Sequence, residues 1–138
     1  MKTQPDIEAA AAEAVEIADR LGLLLDFSVA SLVVIEKMLA DASVSSLSSE
    51  RAEAMAMRCS GYILEVARRR FGGAYKYYDA RSAPVLVVSG PDWTVALLAR
   101  DKVRGRLSGD EGDNIPFFFE GFVEAVSNAK PGQSKLYV

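Results

Sequence analysis

The sequence predicts an α+β domain: three N-terminal helices packed on an antiparallel sheet of about three to four strands, followed by a C-terminal helix. Three observations lead there. Residues 48–73 carry one unbroken helical stripe, with a serine cap before it and a glycine pair after it. Directly afterwards the apolar pattern switches to the alternation of strands. Helical spacing then returns at residues 115–126. Helices and strands therefore separate along the chain, and no internal repeat or linker divides residues 1–138.

Each element can be justified in turn. Ile7, Ala11, Ala14, Ile17, Ala18 and Leu21 recur at helical spacing, opposite Glu8, Glu13, Glu16, Asp19 and Arg20. Pro5 suits a first helical turn, Thr3 and Asp6 stand in the spacing of a cap, and Gly22 is the stop. After the connector Leu23-Leu24-Leu25, Ser28 caps a second helix. Phe27 precedes it, in the place of the first half of a hydrophobic staple. Leu32, Ile35, Met38 and Leu39 form its buried stripe, and the Ser-rich residues 41–49 read as a loop.

The third helix starts at Ser48 or Ser49, where a side-chain oxygen accepts an unpaired backbone N–H. Its stripe is Ala52, Met55, Ala56, Cys59, Tyr62, Ile63, Val66 and Ala67. Arg68, Arg69 and Arg70 favour the negative end of the helix dipole, and Gly72-Gly73 supplies a residue for positive φ. Gly61 inside the helix costs about 1 kcal/mol relative to Ala, which implies close approach of another element there.

Ala74-Tyr75-Lys76-Tyr77-Tyr78 reads as a strand. Pro84 opens the apolar run Val85-Leu86-Val87-Val88, a central strand expected to be covered on both faces. Gly90-Pro91-Asp92 makes a turn, and residues 93–98 form the next strand, with Trp93, Val95 and Leu97 on one face. Short links imply antiparallel neighbours. Residues 100–107 fit either a strand, with Lys102, Arg104 and Arg106 on one face, or an irregular or helical segment with Val103 and Leu107 inward. The second option is preferred here. Asp113 or Asn114 caps the last helix, which tolerates Pro116 in its first turn and buries Ile115, Phe118, Phe119, Phe122, Val123 and Val126. Gly121 allows close packing, Pro131-Gly132 closes the helix, and residues 135–138 read as a tail or an added edge strand.

Composition bounds the chemistry. The chain has 138 residues, half of them hydrophobic, and a net charge of −3. Such a length buries roughly two-thirds of the unfolded surface without a metal or disulfide. The absence of histidine excludes imidazole bases, Ser-His-Asp and Cys-His catalysis, and His-ligated metals. Cys59, the one cysteine, cannot form an intrachain disulfide or a thiolate zinc site, and its place on the stripe suggests a core thiol. No cofactor or metal is expected. The acidic loop at residues 110–114 lacks the alternating ligands of a calcium loop, and Gly72-Gly73 follows a helix, the reverse of a phosphate loop. The acidic balance argues against nucleic acid as a partner. The amino terminus has no basic-then-apolar leader and no apolar run reaches membrane-spanning length, so the expectation is a cytoplasmic location with no membrane partner.

Two constellations remain. Arg68, Arg69, Arg70, Arg104 and Arg106 either disperse or form a basic patch, near aromatics that are either core or surface. Aromatic-plus-arginine surfaces suit protein interfaces and single-stranded nucleic acid alike, the latter disfavoured by the acidic balance. Glu65, four residues before Arg69, is either an ordinary helix pair or a functional carboxylate.

Several stretches resemble a group of bacterial proteins that has no assigned activity. Leu25-Asp26-Phe27-Ser28, with Ser31-Leu32, is similar to their L-D-aromatic-S-x-x-S-L motif. Gly61-Tyr62-Ile63-Leu64-Glu65-Val66, with Arg69 and Gly72-Gly73, resembles their glycine-rich helix, with one glycine here where that pattern has two. Pro84-Val85-Leu86-Val87 is similar to their central strand. Lys102-Val103, Arg106-Leu107, Gly109, Asp113 and Phe118 resemble their ending. The resemblance implies a bacterial origin and a shared small α+β fold, and it carries no activity across. Some similar small acidic proteins are immunity partners of toxins.

The functional expectation is therefore a non-enzymatic protein-binding module, acting on another protein as an inhibitor or immunity-like partner, or on itself as a homodimer. The candidate contact residues are Tyr75, Tyr77, Trp93, Arg104 and Arg106. The alternative is a small carboxylate–arginine enzyme or a small-molecule-binding domain with Glu65 and Arg69 at its site.

Overall fold

The computed structural model describes residues 6–110, 112 and 114–138. Thr3, Pro5, Glu111 and Asp113, which figure in the first cap, the first turn, the acidic loop and the last cap, lie outside them. Among the described residues five α-helices and four strands make an α+β fold. Helix α1 (Ile7–Arg20) starts at Asp6, whose carboxylate accepts the Ala9 N–H at 3.0 Å. A 3₁₀ turn (Val29–Ser31), capped by Ser28, leads into α2 (Leu32–Ser43), which runs past the loop boundary expected at Asp41. Helix α3 (Ser49–Phe71) has Ser48 as its cap and ends at Gly72, where φ is +74°. Thus both punctuation marks of the long helix lie where residue chemistry puts them.

Strands β1 (Ala74–Tyr78), β2 (Ala83–Ser89) and β3 (Thr94–Leu97) form an antiparallel meander. Helices α4 (Arg100–Leu107) and α5 (Ile115–Ser127) follow, and β4 (Ser134–Tyr137) closes the sheet in the order β1-β2-β3-β4. Residues 100–107 are therefore helical, and the tail is an edge strand. Strand β4 runs parallel to β3, with Val95 opposite Lys135 and Leu97 opposite Tyr137, so the sheet is mixed and the all-antiparallel expectation is corrected. The physical reason is the connection. A tight turn can only reverse the chain, whereas the α4–α5 crossover is long enough to return it to the same end of the sheet.

One face of the sheet carries the main core. Leu86, Val88, Val95 and Leu97 pack there with α3 and α5 residues such as Tyr62, Ile63, Phe119 and Phe122, all four at most 1% exposed. Burial of each such side chain contributes about 1.5–3 kcal/mol. On the opposite face Ala83, Val85 and Leu98 form a smaller cluster with Val87, Ala96 and Leu136. Ala83 and Val85 are buried on this face and Leu86 and Val88 on the other, so β2 is covered on both faces as expected. Trp93 precedes β3, and its indole lies against Gly90, where a side chain would collide with it.

Helix α1 lies along α3. Ala10 Cβ would stand 3.0 Å from a Cβ placed at Gly61, with the Ile7 carbonyl at 3.5 Å, so the mid-helix glycine is the point of closest approach. Arg58 and Glu13 pair across the same seam at 3.0 Å.

Candidate functional site

The segment before α2 and the middle of α3 are joined by a polar network. Asp26 accepts the Ser28 N–H at 3.1 Å and the Ser28 hydroxyl at 2.5 Å. These bonds hold its carboxyl below the usual carboxylate range. Ser28 in turn accepts the Ser31 N–H at 3.1 Å. Phe27 between them has φ +65°, a left-handed conformation that is strained for a bulky residue. Three contacts hold it there. Its N–H donates to the Tyr62 hydroxyl at 2.7 Å, its ring stacks on Tyr62 with centroids 5.0 Å apart, and the Arg69 guanidinium sits 3.7 Å from its ring centre. The Ser31 hydroxyl completes the network, 2.6 Å from the Tyr62 hydroxyl. Phe27 is thus an aromatic clasp on α3, in a conformation unlike the staple expected.

Glu65 lies one turn beyond Gly61 and is nearly buried, its side chain 4% exposed. Four hydrogen bonds converge on it. Arg68 Nε and Nη2 donate at 2.5 and 2.9 Å, Arg69 Nε at 3.4 Å and the Tyr75 hydroxyl at 2.6 Å. Arg68 chiefly, then Tyr75 and Arg69, hold the Glu65 carboxyl below its usual range against the opposing effect of burial. Burial, then Glu65 itself, pushes the Tyr75 phenol up, so Tyr75 remains a donor. Glu65 and Arg69 are therefore brought together as expected. Tyr75 joins them, although its place in a strand gave no sign of it.

The remaining candidates separate. Arg106 is 6% exposed and grips Glu36 with Nε at 3.1 Å to both carboxylate oxygens, and with Nη2. Arg106 Nη1 donates to the Asp110 carbonyl at 2.6 Å, and Glu36 also accepts the Ile115 N–H at 2.9 Å. Burial raises the Glu36 carboxyl, but the Arg106 and Ile115 hydrogen bonds outweigh it and leave the group below its usual range. The pair ties α2 to α4 and to the first turn of α5. Seventy residues separate the partners, so no spacing rule signals it. Arg104 forms an exposed fork with Glu53 at 3.0 and 2.7 Å. Buried Arg100 Nε has no hydrogen-bond partner, and burial, then the charge of Arg104, lowers the Arg100 pKa. Tyr75, Tyr77 and Trp93 are all half-buried, and Tyr75 and Trp93 pack against the main core. They lie on the helix-facing side of the sheet, in register with Leu86 and Val95, and the opposite face carries none of them. Cys59 is fully buried, and burial pushes its thiol up to about 12. Among the described residues no cluster of three or more metal-ligand side chains occurs. Among them, too, no helix is long and apolar enough to cross a membrane.

A groove of about 470 Å³ lies between these anchored parts. Val29 and Ala30 line it from the 3₁₀ turn, Val33 from the start of α2, Pro116, Phe119, Glu120 and Val123 from α5, and Arg70 from the end of α3. The α5 residues recur at three- and four-residue spacing, so one face of that helix forms a wall. Phe119 is its floor at 1% exposure, while Val33 and the adjacent Phe117 are 63% and 64% exposed. Sequence reasoning missed the groove. Its signal was an apolar residue outside the buried stripe of α2, Val33. No known protein family, curated protein or solved structure matches the chain.

Proposed function

We propose that this chain is a non-enzymatic protein-binding module of a bacterial cell, inhibitory, immunity-like or self-associating, and that it binds through the groove between α2 and α5. The observation that carries this reading is the exposure of Val29 and Val33 on a concave apolar surface with one cation and one anion at its sides. Large exposed apolar groups gathered in one place favour association, since burying them removes their surface from water.

The alternative places an enzyme or a small-molecule site at Glu65 and Arg69. Against it stands the state of Glu65. A carboxylate that already accepts four hydrogen bonds and is held below its usual range is a weak proton acceptor near neutral pH. Neither residue lines the groove.

The test compares the parent chain with Val33→Asp as baits in lysate of the host, read by mass spectrometry beside a mock bait. The expected result is a near-stoichiometric partner, or tagged parent capturing untagged parent, that the variant loses while keeping its circular dichroism. Equal recovery on parent, variant and mock would overturn the binding reading.

A further inference from the structure

The side chains of the groove identify what it holds. Arg70 stands on the α3 side and Glu120 on the α5 side, both exposed. Among the described residues neither forms an ion pair within the chain, and the Arg70 guanidinium rests over the Phe71 ring, 5.4 Å from its centre. A second depression, lined by Arg81, Asp101, Lys102, Arg106 and Asp110, differs in this respect. Its Arg81 and Asp101 already pair at 2.8 Å, and its Asp110 accepts the Gly112 N–H.

We infer that the groove docks a second copy of this chain about a two-fold axis, pairing Arg70 of each copy with Glu120 of the other over a shared apolar centre of Val29, Val33 and Val123. The inference rests on the protein-binding reading above and names its partner. A two-fold interface brings one patch against itself, so residue i of each copy meets residue j of the other. A patch suited to this must carry both charge signs beside an apolar centre. The groove does so, with an arginine and a glutamate that form no ion pair among the described residues, and valines beside them. A patch of one sign would repel its own copy, which is the outcome that selects against self-association. Exposed Val33 supplies the projection and the groove the hollow. The rim charges set orientation more than strength, and the apolar centre supplies the strength.

Sedimentation of the full chain over about 1–500 µM tests this by mass action. The parent is expected to pass from monomer to dimer. Arg70→Glu and Glu120→Arg each set like charges together across the axis and should raise the dimer Kd about tenfold or more. The double variant R70E/E120R restores opposite charges and should return to within about threefold of the parent. This recovery separates pairing from any cost of a glutamate in the last turn of α3, because the double variant retains that cost. Val33→Asp should abolish the dimer. All three side-chain changes are at exposed sites, and circular dichroism confirms that each variant is folded. A parent that stays monomeric throughout, or a dimer indifferent to the charge swap and to Val33→Asp, overturns the inference. If the chain is monomeric but captures a different protein in a Val33-dependent manner, the second copy is excluded and the protein-binding reading stands. If neither association depends on Val33, both fall.

Discussion

Glu65 shows how one residue converts an expensive burial into a fixed junction. Its carboxylate is charged and almost out of water, which is tolerable because Arg68, Arg69 and Tyr75 supply donors to both oxygens. Glu65→Gln keeps the shape but offers N–H groups where Arg68 donates. It should destabilise the fold by about 1–3 kcal/mol in urea titrations at neutral pH. The pH dependence has a definite sign. The folded carboxyl binds its proton less readily than the unfolded one, so its contribution is fully present above the ordinary glutamate value of 4.5 and is lost as pH falls through the lower folded value. The difference in stability between parent and variant should therefore shrink on acidification below about pH 4.5. A difference that stays constant or widens in acid would show that Glu65 is not ionised in the fold. Phe27 is the complementary case. A positive φ for such a residue costs about 1–3 kcal/mol, here held by a hydrogen bond, a stacked ring and a guanidinium.

At the level of elements, α4 depends on what it is tied to. It is eight residues long, its cap position is Ala99, and no side chain caps it. Its intrinsic helical stability is small at that length. Arg106, with Val103 packed inward, is what anchors it, through Glu36 of α2 and the Asp110 carbonyl. Arg106→Ala should cost about 3 kcal/mol, because it leaves the Glu36 carboxylate without its partner. The loss should appear as a lower midpoint in urea and as faster amide exchange in α4 and at Ile115. Unchanged exchange at Ile115 would show that Glu36 does not hold the start of α5. The same contrast explains what the sequence could and could not reveal. Helix α3 is legible because its stripe, Ser48 cap and Gly72 stop are local, and Asn114 at α5 is legible for the same reason. Residues 100–107 stay ambiguous because their arginines look like a solvent face until Glu36 is brought to Arg106 from 70 residues away. The direction of β4 is hidden likewise, since pairing across the crossover leaves no local mark. Within the candidate site, Glu65 and Arg69 share a helical spacing that can be read, while Tyr75 and the groove arise from packing between elements.

At the scale of the molecule, the helices stand against one face of a four-stranded sheet whose margins are β1 and β4. Hydrogen-bonding groups on the outer side of a marginal strand can recruit another chain without regard to sequence, which is how fibrils begin. Each margin here carries a lysine within its strand, Lys76 in β1 and Lys135 in β4, both exposed. A strand of a second molecule added there would have to accommodate an ammonium group, so these lysines act as gatekeepers against open-ended stacking. Replacing both with threonine should leave the melting temperature nearly unchanged while shortening the lag before thioflavin fluorescence rises in agitated samples. An unchanged lag would mean that other features guard the margins. The two lysines thus disfavour strand addition at either border of the sheet. A protein that blocks the unlimited mode of assembly remains able to use a closed one, in which two molecules satisfy each other and growth stops.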